Sequence, residues 1–146
     1  MATTIFTAGE YDPEKERRKR QRIIALICLA IILGGLAYVF RNWTYEHRVS
    51  QFLTLLEEKN YKQAYGLWLG DPNWEQHPAA HSNYSFEDFY KDWGPGGDAG
   101  VIQSYHIAGS VAKGSGVIVV VSINNRAEPV RLWVEKKDKS LTWSPY

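Results

Sequence analysis

The chain has 146 residues and a formal net charge of +1, which fits one domain with short appendages. Residues 1–40 carry six basic and four acidic groups, whereas residues 41–146 carry eleven basic and twelve acidic groups, so the near-neutral distal part argues against nucleic-acid binding through a basic face. The single cysteine, Cys28, excludes an intrachain disulfide and a cysteine-based zinc cluster.

The N-terminal segment, residues 1–22, is predicted to be a basic cytoplasmic tail. Met1 to Glu16 has few apolar groups and no periodicity, which predicts a short, flexible stretch. Six basic residues then lie in the eight positions from Lys15 to Arg22. They mark a topology signal, and the alternative is that they also hold anionic lipid.

Residues 23–40 contain no charge and are predicted to form a transmembrane helix. At 1.5 Å per residue the run spans ~27 Å, close to the ~30 Å thickness of the hydrocarbon layer. Its eleven Leu, Ile, Val and Phe residues favour insertion by roughly 3–7 kcal/mol. A core helix of a soluble protein would show a polar stripe along one side, and residues 23–40 show none. A cleavable signal peptide would have a shorter apolar run followed by a small-x-small site, and the following "AYVFRNW" lacks one.

The flanks of this run predict its orientation and packing. The excess of basic residues before it places the N-terminus in the cytoplasm and residues 41–146 in the periplasm or outside the cell, beyond the inner (plasma) membrane. Ala30 and Gly34 form a small-xxx-small pair, the spacing that lets two transmembrane helices approach closely.

Three amphipathic helices are predicted in the first part of the distal region. "EHRVSQFLTLLEEKN" places Val49, Phe52, Leu53 and Leu56 on one helical face. "NYKQAYGLWL" follows with Asn60 as its N-cap, and "SFEDFYKDW" begins after Ser85, with Asp88 at the position of a capping box. Residues 71–83 between them are predicted to be a polar loop.

From Val101 onward the hydrophobic period changes to two, which predicts strands. Val101, Tyr105, Ile107 and Val111 are expected on one side of the first strand. "VIVVVSI" is the second strand, and "VRLWVE" and "LTWS" form a hairpin around "KKDKS". The predicted fold class is therefore α+β: one transmembrane helix, then, over residues 41–146, three helices packed on a curved antiparallel sheet of about four strands.

The distal region resembles the nuclear-transport-factor-two-like, cystatin-like α+β superfamily. The resemblance lies in "FLTLLEEKNYKQAYGLW", in "SFEDFYKDW" and in the terminal strands with their late tryptophan. It implies a cone-shaped pocket between the sheet and the helices. It implies no single activity, since relatives include enzymes, ligand binders and interaction modules.

Candidate site residues follow from these elements. His106, Asp88 and Tyr90 are predicted to line the pocket, where a histidine could act as an acid or a base. Trp74, Trp133 and Tyr146 are candidates for a partner surface, because large aromatic side chains anchor interfaces. His77 and His81 are four residues apart, but the neighbouring prolines predict a solvated loop rather than a metal site. No catalytic set, metal site or cofactor is predicted.

Two functions are compatible with these patterns. The first is a noncatalytic, membrane-anchored interaction or accessory module, such as a small subunit of a membrane protein complex, with the lipid bilayer and a protein as its partners and no nucleic acid. The second is a ligand-binding or enzymatic domain that uses the pocket. An open cavity with convergent polar groups would favour the second, and a cavity filled by Phe, Trp and Leu side chains would exclude it.

Overall fold

The structure is a computed structural model that describes residue 9 and residues 12–146. The chain divides into two compact units, one ending at Phe40 and the other running from Arg41 to Tyr146. The helices and strands have the following bounds: α1 Pro13–Val39, α2 Trp43–Glu57, α3 Tyr61–Leu69, α4 Phe86–Trp93, β1 Tyr105–Lys113, β2 Gly116–Ile123, β3 Val130–Glu135 and β4 Leu141–Trp143. Single 3₁₀ turns lie at Phe40–Asn42, Trp74–Gln76 and Pro78–His81.

Helix α1 begins earlier than the sequence predicts. Asp12 caps it by accepting hydrogen bonds from the backbone N–H groups of Glu14 and Lys15, at 3.0 and 3.3 Å. Pro13 occupies the first helical position, where its missing N–H costs nothing. The predicted flexible tail is therefore wrong for residues 13–16, while residues 1–8, 10 and 11 of that tail lie outside the described residues.

The apolar side chains of α1 are exposed within its own unit. No residue of α1 is buried, and an 18-residue window in the helical stretch that begins at Pro13 has a mean hydropathy of 2.8. This helix is long and apolar enough to cross a membrane.

Helices α2 and α3 bury the faces that their periodicity predicts. On α2 the buried residues are Val49, Phe52, Leu53 and Leu56, which confirms that face. Helix α3 begins after Asn60, but the Asn60 side chain makes no capping hydrogen bond. It ends at Gly70, whose φ of +69° is the left-handed conformation that glycine adopts most easily.

Helix α4 starts with a complete capping box. The Asp88 backbone N–H donates to Ser85 Oγ at 3.2 Å, and the Ser85 backbone N–H donates to Asp88 Oδ2 at 3.4 Å. The shorter aspartate side chain thus closes the box that glutamate usually closes. The Ser85 hydroxyl also donates to Asp88 Oδ2 at 2.8 Å, and this bond, followed by the one from the Ser85 backbone N–H, lowers the pKa of the Asp88 carboxyl.

The four strands form one antiparallel sheet in the order β1-β2-β3-β4. Trp133 pairs with Thr142 and Leu132 pairs with Trp143, so β3 and β4 form the predicted hairpin. In β2 the residues Val117, Val119, Val121 and Ile123 are buried and the intervening ones are partly exposed. The α+β class and the four-stranded antiparallel sheet are confirmed.

A β-bulge in β1 overturns one sequence prediction. The pairing with β2 shifts between Ile107 and Gly109, so the side chains beyond this point change faces. As a result, Tyr105 and Ile107 are partly buried, while Val111 is 60% exposed and Ala112 is partly buried in its place. Val101, predicted on the same side, lies before the strand begins.

Helices α2 and α3 pack on one face of the sheet, here called the inner face. The Tyr105 hydroxyl, on β1, lies 2.7 Å from Ser50 Oγ and 2.9 Å from Thr54 Oγ1, both on α2. The opposite, outer face carries the side chains that alternate with the buried ones. This division decides which predicted site residues can share a pocket.

Candidate functional site

The space between the inner face and the helices is filled by side chains. Phe52 is fully buried and contacts Trp93 edge-on, with ring centroids 5.1 Å apart, and Trp68 with centroids 5.4 Å apart. Phe89 closes the same cluster at 6.1 Å from Phe52. Among the described residues, no polar or charged residue is buried in this core. The interior therefore offers dense aromatic packing where the resemblance implies a pocket.

The structure does not bring the three predicted pocket residues together. His106 is exposed on β1 and alternates with Tyr105, so its side chain lies on the outer face. Asp88 is exposed in the first turn of α4. Tyr90 is 44% exposed and contacts Tyr61 edge-on at 5.0 Å. The helix residues and His106 therefore lie on opposite sides of the sheet.

The predicted partner surface separates into two places. Trp74 is partly buried, stacks on Phe86 with ring centroids 5.5 Å apart, and donates from Nε1 to the Lys62 carbonyl at 3.2 Å. Trp133 and Tyr146 lie together on the outer face, with ring centroids 5.8 Å apart.

Trp133 is held flat against the outer face by its neighbours. Its Nε1 donates to Glu135 Oε2 at 3.1 Å, and its ring covers Gly116, where a Cβ would lie 2.1 Å from Trp133 Cε2. The ammonium group of Lys113, at the end of β1, lies 3.4 Å from the centroid of the Tyr146 ring, a cation–π contact. Tyr146 thus bridges β3 and β1 across the outer face.

A polar groove runs along the exposed side of α2 and α3 and is bounded by residues 72–76. It has a volume of about 1110 Å³, and side-chain amides such as Gln51, Gln63 and Gln76 line it. Lys62 and Glu75 form an exposed ion pair across it at 3.1 Å. The groove therefore supplies hydrogen-bond donors and acceptors.

A smaller aromatic cleft lies beside β4 and has a volume of about 360 Å³. Its walls are Trp68, Leu69 and Tyr84 on one side and residues 140–143 on the other. Tyr84 is oriented by donating its hydroxyl to Asp92 Oδ2 at 2.7 Å, and burial raises the pKa of that hydroxyl. Trp143 is 46% exposed and stacks on the buried Trp93, with ring centroids 4.7 Å apart and planes 2° from parallel.

Two histidines converge on one carboxylate in the loop after α3. His77 Nδ1 and His81 Nε2 each lie 3.0 Å from Asp71 Oδ2, so both rings donate to the same oxygen. These two hydrogen bonds lower the pKa of the Asp71 carboxyl, and the bond from His81 has the larger effect. Within residues 12–146 no group of three or more His, Cys, Asp and Glu side chains is arranged to hold a metal ion. The loop is thus cross-linked by hydrogen bonds rather than fully solvated.

The predicted packing pair lies on the exposed surface of α1. Ala30 and Gly34 are one helical turn apart. A Cβ built on Gly34 would meet no atom within 4 Å. The stripe is therefore open to a second helix.

Sequence reasoning missed the aromatic cleft. Trp68 lies in α3 and Trp143 in β4, and the apolar periodicity of these elements gives no sign that the two residues border an opening. The only sequence signal is the shortness of the last strand, three residues against six in β3, which leaves the end of the sheet uncovered.

Comparison with known proteins identifies no relative. No family model, no curated protein and no solved structure matches the chain. The resemblance to nuclear-transport-factor-two-like domains remains a prediction from the sequence pattern.

Proposed function

We propose that this chain is a single-pass membrane protein whose residues 41–146 form a noncatalytic interaction module, a small subunit of a membrane protein complex. The N-terminus lies in the cytoplasm and the α+β domain lies in the periplasm or outside the cell. The observation that supports the anchor is α1, because none of its apolar residues is buried and it is long enough to cross a bilayer. Exposed apolar surface on this scale is unstable in water.

The filled interior is the observation that carries the noncatalytic part of the proposal. An enzyme or small-ligand binder of this architecture needs an open cavity with convergent polar groups. Here the corresponding space holds Phe52, Phe89 and Trp93, each no more than 1% exposed. The candidate binding features lie instead on the surface of the domain, in the polar groove and the aromatic cleft.

Orientation is tested by labelling with a membrane-impermeant maleimide in intact cells. In a Cys28→Ser background, single cysteines are placed at two exposed positions, Glu14→Cys and Ser82→Cys. We expect Ser82→Cys to be labelled directly and Glu14→Cys only after the membrane is permeabilised. The reverse pattern would overturn the topology.

The interaction role is tested by crosslinking in native membranes and identifying what is attached. A monomer that crosslinks to nothing and turns over a small substrate would overturn it.

The contribution of α1 is tested with Ala30→Leu, which adds bulk to the small-residue stripe. Ala25→Leu is the matched control, since Ala25 lies about 140° around the helix from Ala30 at 100° per residue. We expect only Ala30→Leu to weaken association of α1 with another helix, measured by energy transfer between labelled chains in bilayers.

A further inference from the structure

The free side of β4 presents backbone groups that pair with no other strand within residues 12–146. In an antiparallel pair, residues alternate between bonding to the neighbour and pointing away from it. The Glu135 N–H donates to the Ser140 carbonyl at 3.0 Å and the Ser144 N–H donates to the Arg131 carbonyl at 3.1 Å. The intervening Leu141 and Trp143 therefore direct their N–H and C=O groups to the open edge, because β4 is the last strand of the sheet.

The aromatic cleft lies beside this same edge. Residues 140–143 form one of its walls, and Trp68, Leu69 and Tyr84 form the other. A cavity of about 150 Å³ holds one benzene molecule, so about 360 Å³ accommodates one bulky apolar side chain with part of its backbone. Free backbone groups beside a pocket for a side chain are the two features by which a sheet edge recognises an extended peptide.

The tryptophan at the end of this edge strand is preorganised. Trp143 is half exposed yet stacked on Trp93, which is 1% exposed, so its ring does not need to be ordered on binding. The indole N–H of Trp93 is buried and has no hydrogen-bond partner among the described residues, so an unsatisfied donor lies beneath the wall of the cleft.

The opposite edge of the sheet lacks this combination. β1 is longer, but the bulge between Ile107 and Gly109 breaks its regular pattern of hydrogen bonds. Its inward-facing Tyr105 is already bonded to α2. The docking features therefore converge at β4.

We infer that β4 binds an extended polypeptide segment of a partner protein as a fifth strand, with one bulky apolar side chain of that segment in the aromatic cleft. This inference rests on the proposed function, for which it supplies the site and the class of partner. Because β4 is only three residues long, the cleft has to supply much of the affinity. Trp143 is consequently the dominant contact.

The test uses the full-length chain in phosphatidylcholine nanodiscs and a phage library of ten-residue peptides. Selected peptides are synthesised with a fluorophore, and their affinities are measured by fluorescence anisotropy. We expect selection of alternating apolar sequences. N-methylation should lower affinity about tenfold or more at every second residue and little at the others, since only alternate N–H groups face the sheet.

Two variants locate the binding site. Trp143→Ala and Leu69→Glu should each lower peptide affinity at least about tenfold, because both alter the cleft. Leu69→Glu decides the question if Trp143→Ala proves unfolded by circular dichroism. Val111→Ala is the control: it removes exposed apolar surface from the outer face of β1, at the opposite edge of the sheet from β4, and should change affinity less than about twofold.

The outcomes separate the two proposals. Peptides that bind Trp143→Ala and Leu69→Glu as well as the native chain, or that tolerate N-methylation everywhere, would overturn the inference. A membrane partner that still crosslinks to the Leu69→Glu variant as well as to the native chain would overturn it too, while the proposed function would stand. If peptides bind at β4 as expected but crosslinking retrieves no partner and the chain turns over a small substrate, the proposed function fails and the site stands.

Discussion

Replacing Gly116 by alanine tests the packing of the outer face directly. Gly116 begins β2 and lies under the ring of Trp133, where a Cβ would come within 2.1 Å of Cε2 and 2.3 Å of Cζ2. Non-bonded carbon atoms are best separated by about 3.5–4.0 Å. The ring of Trp133 must therefore retreat by roughly 1.5 Å, since the atoms of the strand backbone are fixed by pairing on both sides.

The expected magnitude follows from two opposing effects. Overpacking a tight contact costs about 1–3 kcal/mol, and moving the ring also strains the 3.1 Å hydrogen bond from Trp133 Nε1 to Glu135. Alanine in place of glycine in a strand gains about 0.5–1 kcal/mol. The free energy of unfolding should therefore fall by roughly 0.5–2 kcal/mol.

The free energy of unfolding is measured by urea titration of the full-length chain in mild detergent, with far-ultraviolet circular dichroism as the signal. The same change is made in a Trp133→Ala background, where Gly116→Ala should be neutral or stabilising because the obstructing ring is gone. The coupling energy of this cycle should be about 1–3 kcal/mol. Gly109→Ala is the control, because a Cβ there would meet no atom within 4 Å. Equal effects of Gly116→Ala in both backgrounds would refute the placement of Trp133 over Gly116.

Three further predictions use the same unfolding measurement. Ser85→Ala should cost about 1 kcal/mol by removing the cap of α4, whereas Ser82→Ala, at an exposed position, should change stability by less than about 0.5 kcal/mol. Phe52→Ala should cost about 3–5 kcal/mol, because Phe52 is fully buried at the centre of the aromatic cluster; a loss below 1 kcal/mol would mean the interior is not filled as described. The pKa of Asp71 is lowered in the folded state, so the ionised carboxylate stabilises the fold above the unfolded pKa of about 4. This stabilisation is lost as the pH falls below that value. Asp71→Asn should therefore lose less stability than the native chain on acidification, and an unchanged pH profile would show that its hydrogen bonds from His77 and His81 do not form.

Local patterns in the sequence predicted much of the domain. The four apolar positions of α2 follow from the helical period, and the β3–β4 hairpin follows from two alternating stretches on either side of a polar turn. The capping box at Ser85 was also readable, because its donor and acceptor lie three residues apart. The Asp12-Pro13 start of α1 was equally local, but the charged composition of the tail concealed it.

The three residues predicted to line a pocket do not lie together, and the reason is the arrangement of the sheet. His106 was assigned to a pocket with Asp88 and Tyr90, but strand alternation places it opposite Tyr105, on the far side of the sheet from α4. Val111 changed faces because one extra residue in β1 shifts the pairing with β2. A bulge depends on how two strands meet, which the periodicity of one strand does not record.

The sequence by itself determined the features that arise between near neighbours in the chain: an uncharged run long enough for a membrane, the faces of the helices and the alternation of the strands. Tertiary structure alone decided the features that need distant residues to meet. Trp68 and Trp143 wall one cleft although they lie far apart in the chain, and Trp133 reaches Gly116 only through the pairing of β2 with β3. Side chains of the core and of a binding cleft obey the same apolar pattern, so only the packed arrangement shows which of them remain open to a partner.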